Sequence, residues 1–384
     1  MRLKLNKGLI GIENIEFEWN QLFKKLSKPI YSQSVIWHKA YLNNLVNDVD
    51  KCHYFCIYKG SNLIAIFPFE EVRCKFYLLS FNTLSFSNHS HFGLNSIVVD
   101  ENESIQYVFE FLYNALKKEK SILWDIIYLY RTIDNYQPAQ CKIRNSRLLV
   151  QSPSVVCDTL PIQNYDKTNK RFSRNFKQNL KKYRNRILEL ENVEYKTIYK
   201  RENVDEYFNH FLDIEASGWK GALGMKSAIK LNESLRNFYS EIMYSFSEIE
   251  QMELNFLLIN NKPIAAQFVI ILEPTVFLFK IGYDEDYRRF SPGNLLIEKK
   301  LKEYQNNPNL VTLNLISNAE WHKNWKPDIL VSNNLYNCKN LFVALCMRMI
   351  LWLKDRAKEI DDKLKKGVVL APPNRKNKKH NNRC

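Results

Sequence analysis

Residues 252–304 read MELNFLLINNKPIAAQFVIILEPTVFLFKIGYDEDYRRFSPGNLLIEKKLKEY. Three runs within it, Leu254–Ile259, Ile264–Leu272 and Thr275–Gly282, are apolar and rich in β-branched and aromatic residues. They are parted by Asn260-Asn261-Lys262-Pro263 and by Glu273-Pro274, residues that suit tight turns. The spacing predicts a three-stranded antiparallel meander. Tyr283–Phe290 then becomes polar and charged. Ser291-Pro292-Gly293 opens a different period, carried by Leu295, Leu296, Lys299, Leu301 and Tyr304. Ser291 suits an N-cap, and Pro292 suits the first helical position, where its missing N–H costs little.

Downstream, Val311–Ile316 is a strand candidate that leads into a Trp-rich loop, Glu320–Lys326. A last helix is expected from about Leu341 to Leu364, followed by a polar basic tail at 367–384. Upstream lie helices at about Glu233–Phe246 and Val204–Ser217, the second ending at Gly218-Trp219-Lys220-Gly221. Before them, Phe172, Phe176, Leu180, Tyr183 and Ile187 form one apolar stripe on a helix whose remaining faces are basic. Gln151–Lys170 is polar, holds Pro153 and Pro161, and reads as a connector between domains.

The first half repeats the pattern loosely. Ser34 caps a helix through Val35, Trp37 and Tyr41. A hairpin follows, with strands at His53–Tyr58 and Leu63–Phe69. Pro68 implies a strand end or a sheet edge there. Phe76–Ser80 is a further strand, Glu103–Lys118 a helix, and Ile122–Leu129 an apolar strand. The expected division is 1–155, 156–345, a C-terminal helix at 346–366, and the tail.

The totals agree with two packed domains. The 384 residues are 45% hydrophobic and 13% aromatic, enough for real cores. The formal charge of +15 is uneven. Residues 340–384 hold twelve Lys/Arg against four Asp/Glu, and 167–188 hold nine Lys/Arg and no acid. Such a balance favours phosphate-bearing partners: a nucleotide cofactor, RNA or an anionic membrane face. The eight cysteines form no CxxC pair, which reads as reduced thiols rather than disulfides or a metal site. The first residues lack a signal-peptide core, and the most apolar run, Leu341–Leu353, is short of the ~20 residues that span a bilayer. A cytoplasmic protein is expected.

The element order resembles the core of the GNAT acyltransferases. More narrowly, it is similar to the CelD-like family and to the FemAB aminoacyltransferases, which carry two GNAT-like domains in tandem. The likeness rests on the basic helix Arg171–Arg186, on Gly218-Trp219-Lys220 and on Lys262-Pro263-Ile264-Ala265-Ala266. It also rests on Tyr283-Asp284 with Ser291-Pro292-Gly293-Asn294-Leu295-Leu296, and on Trp321-His322-Lys323 before Trp325. Gln33-Ser34 with Trp37 matches the N-terminal part. The fold implied is α+β: two tandem GNAT-like domains, each a mixed, mostly antiparallel sheet flanked by helices.

The resemblance implies an acyl thioester brought beside an amine. Its pyrophosphate would meet the helix start formed by Ser291, Gly293 and Asn294, with Arg288 and Arg289 just upstream. Gly282, at the end of the third strand, would permit a bulge that frees a backbone N–H for the oxyanion. The amine must lose a proton, so Asp284 and Glu320 are the candidate bases, with Lys323 near them. Trp219, Lys220, Trp321 and His322 are candidates to line the acceptor groove. The usual GNAT loop has more glycines than this one, so coenzyme A, acyl carrier protein and aminoacyl-tRNA all stay open as carriers, acetyl-CoA leading. No metal is implied. The acceptor would be an amine of a small molecule, a sugar or an envelope precursor, in keeping with relatives that serve envelope or polysaccharide assembly. Two other readings stand beside this one. A FemAB-type aminoacyl-tRNA-dependent transferase would suit the basic helix. A non-catalytic protein would use the last helix and tail on an anionic membrane surface.

Overall fold

The computed structural model describes residues 1–76, 79–133, 147–218, 220–222 and 224–369. The tail expected at 367–384 lies outside the described residues from 370 onward, and so does Trp219.

The strands are β1 (Arg2–Lys7), β2 (Cys52–Lys59), β3 (Asn62–Phe76), β4 (Leu79–Ser85), β5 (Val98–Val99), β6 (Ile126–Ile133) and β7 (Arg147–Pro161). They continue as β8 (Val193–Ile198), β9 (Met252–Ile259), β10 (Lys262–Leu272), β11 (Thr275–Tyr283), β12 (Thr312–Asn314) and β13 (Asp328–Cys338). The helices are α1 (Gly8–Glu13), α2 (Glu16–Phe23), α3 (Val35–Asn44), α4 (Ile105–Lys118) and α5 (Tyr165–Lys170). Then come α6 (Arg174–Leu188), α7 (Val204–Ala216), α8 (Glu233–Glu248), α9 (Pro292–Tyr304) and α10 (Leu341–Val369).

One sheet runs through the molecule in the order β1-β2-β3-β4-β6-β13-β7-β12-β11-β10-β9-β8, with β5 on the side of β3. Its two halves repeat one plan. In the first, β2, β3 and β4 form an antiparallel meander, α4 crosses over, and β6 returns parallel to β4. In the second, β9, β10 and β11 form the meander, α9 crosses over, and β12 returns parallel to β11. The α+β class and the tandem GNAT-like plan both hold. The turn between β9 and β10 has Asn260 and Asn261 at φ 50 and 63, the paired positive values of a tight hairpin.

The halves exchange their last strands. β7, which follows the first repeat, pairs with β12 of the second. β13, the final strand, pairs with both β6 and β7. The border expected at 155/156 therefore lies inside β7. That segment looked like a connector because of Pro153, but the β7–β13 ladder skips from Val155 to Gln151, and Pro153 falls in the skipped stretch, where its missing N–H breaks no ladder bond. Pro68 likewise ends nothing. It lies within β3, in the gap between the residues that pair with β5 (Ala65, Ile66) and those that pair with β4 (from Glu70).

The joint is filled by aromatic side chains from both halves. Tyr31 and Trp37, at the start of α3, pack on Phe279 of β11 with centroids 4.4 and 5.0 Å apart, and Trp37 also meets Phe238 of α8 at 5.3 Å. Ser34 accepts the Trp37 N–H as the expected cap. Trp37 is fully buried, and truncating such a side chain costs about 3–5 kcal/mol. No described helix is long and apolar enough to cross a membrane.

Candidate functional site

β11 and β12 stay paired for only three residues, from Thr275↔Thr312 to Phe277↔Asn314. Past that point β11 continues to Tyr283 while the chain leaves β12 in a tight turn. Ile316 in that turn has φ 60, a left-handed conformation that costs a β-branched residue on the order of 1–3 kcal/mol. The Asn314 Oδ1 accepts its N–H at 2.7 Å. The parted strands open a cavity of about 770 Å³. Leu278–Tyr283, Leu315–Ser317, Gly293, Asn294 and His322 line it, and Ser90, Gly93, Leu94 and Arg131 bring the first half to its wall.

The expected bulge exists, but at Phe279 rather than Gly282. Phe268 pairs with Lys280 and Val269 with Leu278, leaving Phe279 as the extra residue. A bulge re-aims the side chains that follow it. Phe279 packs with Phe277 on the α3/α8 face, and Lys280 reaches the Tyr239 ring of α8 at 5.5 Å, on that same face. Gly282 has another task. A Cβ there would stand 3.0 Å from Glu215 Cα and 3.1 Å from Ile214 O, so the glycine lets the end of α7 rest closely on β11, and a side chain would push it back by a few tenths of an ångström.

That contact places Glu215, a residue the sequence did not single out. It is 4% exposed, its Oε1 accepts from Lys220 Nζ at 3.1 Å, and its Oε2 accepts the Ile229 N–H at 2.9 Å. Lys220, expected at the acceptor groove, is thus at the cavity through this pair. Lys280 lies beside them, and burial together with the charge of Lys220 lowers its pKa to about 8. His91 Nδ1 and the Tyr239 hydroxyl are hydrogen-bonded at 2.9 Å. Burial and the nearby Lys280, His89 and Lys220 bring His91 down to about 3, so its ring is neutral.

At the start of α9, Ser291 holds the N-cap position without capping through its side chain. Its φ of 49 turns the hydroxyl away from the helix amides, and Oγ accepts instead from Asn294 Nδ2 at 2.8 Å. The Asn294 and Leu295 N–H groups both return to Ser291 O. Asn294 Oδ1 accepts from Trp325 Nε1 at 3.1 Å, which ties the helix start to the Trp-rich loop. Ser291, Gly293, Asn294 and Arg288 all line the cavity. Arg289 does not, and its guanidinium lies over the Phe290 ring at 4.7 Å.

The expected bases are elsewhere. Asp284 pairs with Lys262 at 2.8 Å and accepts the Asp286 N–H, which fixes it in the turn after β11. Glu320 and Lys323 form a surface pair at 2.6 Å, 83% and 72% exposed. None of the three lines the cavity. Their places near strand ends in sequence did not reveal which way the side chains turn. His322 does line it, and its Nδ1 meets Asp158 Oδ2 at 2.8 Å, both residues buried. Burial pulls the His322 pKa below its ordinary value, and the Asp158 carboxylate works against that pull. Trp321 lines the cavity too and packs edge-on against His322 at 4.0 Å. Asp158 comes from β7, 164 residues away. No local motif joins it to His322, and only the strand exchange brings them together.

Residues 174–323 match the sequence profile of the acetyltransferase (GNAT) domain. No curated protein matches the sequence. Among solved structures, FemX superposes with a TM-score of 0.56 at 10% identity, over 84% of this chain and 96% of that one. The C-terminal domain of a protein assigned as lysylphosphatidylglycerol synthetase, from Agrobacterium fabrum, superposes with a TM-score of 0.51 at 9% identity, over 88% and 95%. At such identities these likenesses speak for the fold. With the matched profile, the two repeats of one plan and the parted strands over a cavity on the same chain, residues 174–323 form a GNAT-type acetyltransferase domain set within a fold of two GNAT-like repeats.

Proposed function

We propose that the chain is an N-acyltransferase that moves an acyl group from a thioester, acetyl-CoA first among the candidates, to an amine bound in the cavity between β11 and β12. In this reading residues 156–345 carry the donor site, and 1–155 supply one wall of the acceptor site. The Gly293 end of α9 and Arg288 would face the carrier's phosphates. The edge of β11 beyond Phe277, left without a strand partner by the early end of β12, would offer backbone N–H to the developing oxyanion. His322 is the proposed base. Asp158 takes its Nδ1–H, and an amine that displaces the ring's other contact, with the Ser317 backbone, would find the Nε2 lone pair to receive its proton. The amine nitrogen then attacks the thioester carbonyl, the C–S bond breaks, and the thiolate takes up a proton.

The observation that supports this most is His322, braced from behind by the buried Asp158, standing in the same cavity as the α9 start. The test is thiol release from acetyl-CoA and longer acyl-CoA by the full chain over a panel of amines. Release that depends on an added amine supports the reading. No release with any pair, and no bound thioester, would remove it.

A second carrier has one observation in its favour. Two basic residues near the start and middle of the basic helix are held internally, Arg171 by Asp328 and Arg184 by Glu298. Arg174, Lys181, Lys182 and Arg186 are exposed and in no ion pair among the described residues, a face suited to RNA phosphates. Aminoacyl-tRNA binding that weakens steeply with added salt would favour that carrier. For α10 we propose contact with an anionic membrane surface. Its inner face, with Val343, Ala344, Met347 and Ile350, is buried. Phe342, Leu345, Met349, Trp352 and Ile360 form an exposed stripe at helical spacing, in the segment whose sequence is the most basic. A second copy on this stripe would set two strongly positive segments face to face, whereas anionic lipid would neutralise both.

A further inference from the structure

The cavity carries four cationic side chains, Arg131, Lys220, Lys280 and Arg288, against two carboxylates, Glu215 and Glu285. Glu215 is committed to Lys220 and to the Ile229 N–H. Arg131, Lys280 and Arg288 stand in no ion pair among the described residues. Arg288 sits by the α9 start, on the donor side. Arg131 and Lys280 approach from the first half and from the α8 face, away from it.

Arg131 is held there at a cost. It lies within β6 at φ 50, a left-handed backbone that a non-glycine residue adopts only where its surroundings impose it. The imposition is visible. Asn334 Oδ1 accepts the Arg131 N–H at 3.1 Å, and β13 shifts register on both its neighbours around Asn333–Asn334. The shifts turn the side chain out of the ladder and toward the cavity. Its Nε is buried and has no hydrogen-bond partner. A buried guanidinium N–H left unanswered is costly, and the group that answers it best is an anionic oxygen.

We infer that the acceptor amine carries a carboxylate or a phosphate, seated between Arg131 and Lys280 so that its nitrogen faces His322. This rests on the acyl-transfer reading of the cavity and names the class of its acceptor. Arg131 and Lys280 are then specificity-determining residues, Arg131 the more selective because its planar fork takes two oxygens at once.

The test uses the full chain with coenzyme A at saturation and two matched pairs: glucosamine 6-phosphate against glucosamine, and 4-aminobutyrate against butylamine. Calorimetric titration is expected to show the anionic member of at least one pair bound about tenfold tighter or more. The pair that shows it separates phosphate from carboxylate. Arg131→Met and Lys280→Met are each expected to erase the preference, Arg131→Lys to keep part of it, and Lys323→Met, on the surface outside the cavity, to leave it intact. The inference is overturned if the members of both pairs bind alike, if none binds, or if the preference survives in Arg131→Met and Lys280→Met. Coenzyme A affinity measured on the same samples shows whether each variant is folded. Intact coenzyme A binding without an anion preference sinks this inference alone, and absent coenzyme A binding sinks the reading beneath it.

Discussion

Gly282 and His322 carry the site at the scale of single residues, by different means. Gly282 works by what it lacks. A methyl group there meets the backbone of Glu215 at 3.0 Å, and backbone cannot swing aside as a flexible side chain would. Gly282→Ala is expected to cost about 1–3 kcal/mol in a denaturant titration. It should also displace Glu215, so the Lys220–Glu215 pair is lost with it. Unchanged stability and activity would show that α7 does not need this contact. His322 works by its lone pair. His322→Ala is expected to lower kcat about a hundredfold or more at constant acetyl-CoA affinity. The sign of its pH dependence follows from burial. The pKa of His322 is depressed, so the ring stays neutral and able to accept a proton at neutral pH, and its acid limb in kcat lies below the ordinary histidine value of 6.5. Asp158→Asn removes the charge that raises that pKa, and it should move the limb to still lower pH while slowing the reaction. A limb that moves upward instead would contradict this assignment.

Among the elements, those with a clean period were readable in advance and those with an interrupted one were not. The β9–β10–β11 meander, α9 and the stripe of α6 stand where their sequence spacing puts them, because their apolar runs are buried, β9 and β10 on both faces and α6 along Phe176, Leu180 and Ile187. β7 and β13 were missed. Pro153 and the polar Ser332-Asn333-Asn334 break their alternation, and both interruptions lie where the ladders shift register. The cavity shows the same limit. Its walls at Lys220, Gly282, Ser291, Gly293, Trp321 and His322 lie near turns and element ends that the sequence marks. Glu215, Lys280 and Arg131, and Asp158 behind His322, sit within or at the end of regular elements, where nothing local separates a site residue from a packed one. α10 gives the prediction that belongs to this scale. In liposome flotation the full chain should rise with vesicles containing anionic lipid and much less with neutral ones. Trp352→Glu combined with Met349→Glu should abolish the rise without changing thermal stability. Flotation that ignores both lipid charge and these substitutions would refute the membrane contact.

The whole molecule is held as one body, because each half finishes the other's sheet and both feed aromatic side chains into the joint. Two histidines, His38 buried and His91 half-buried, sit at or near that joint and make it sensitive to acid. Burial brings His38 down to about 4 and His91 to about 3, both below the unfolded value of 6.5. In the unfolded chain these rings take up protons at a pH where the folded chain refuses them. Their contribution is therefore complete above pH 6.5 and is lost as pH falls from there, toward 4 for His38 and toward 3 for His91. For His38 alone the loss is about 3 kcal/mol at the acid end. The unfolding midpoint should fall across that window, and less so in His38→Gln. The account as a whole turns on whether the cleft between β11 and β12 receives a thioester at the start of α9. Calorimetric titration of the full chain with acetyl-CoA asks this directly. One site per chain is expected, weakened about tenfold by Arg288→Ala. Absence of binding to acetyl-CoA and to longer acyl-CoA, or an affinity that Arg288→Ala leaves untouched, would contradict it.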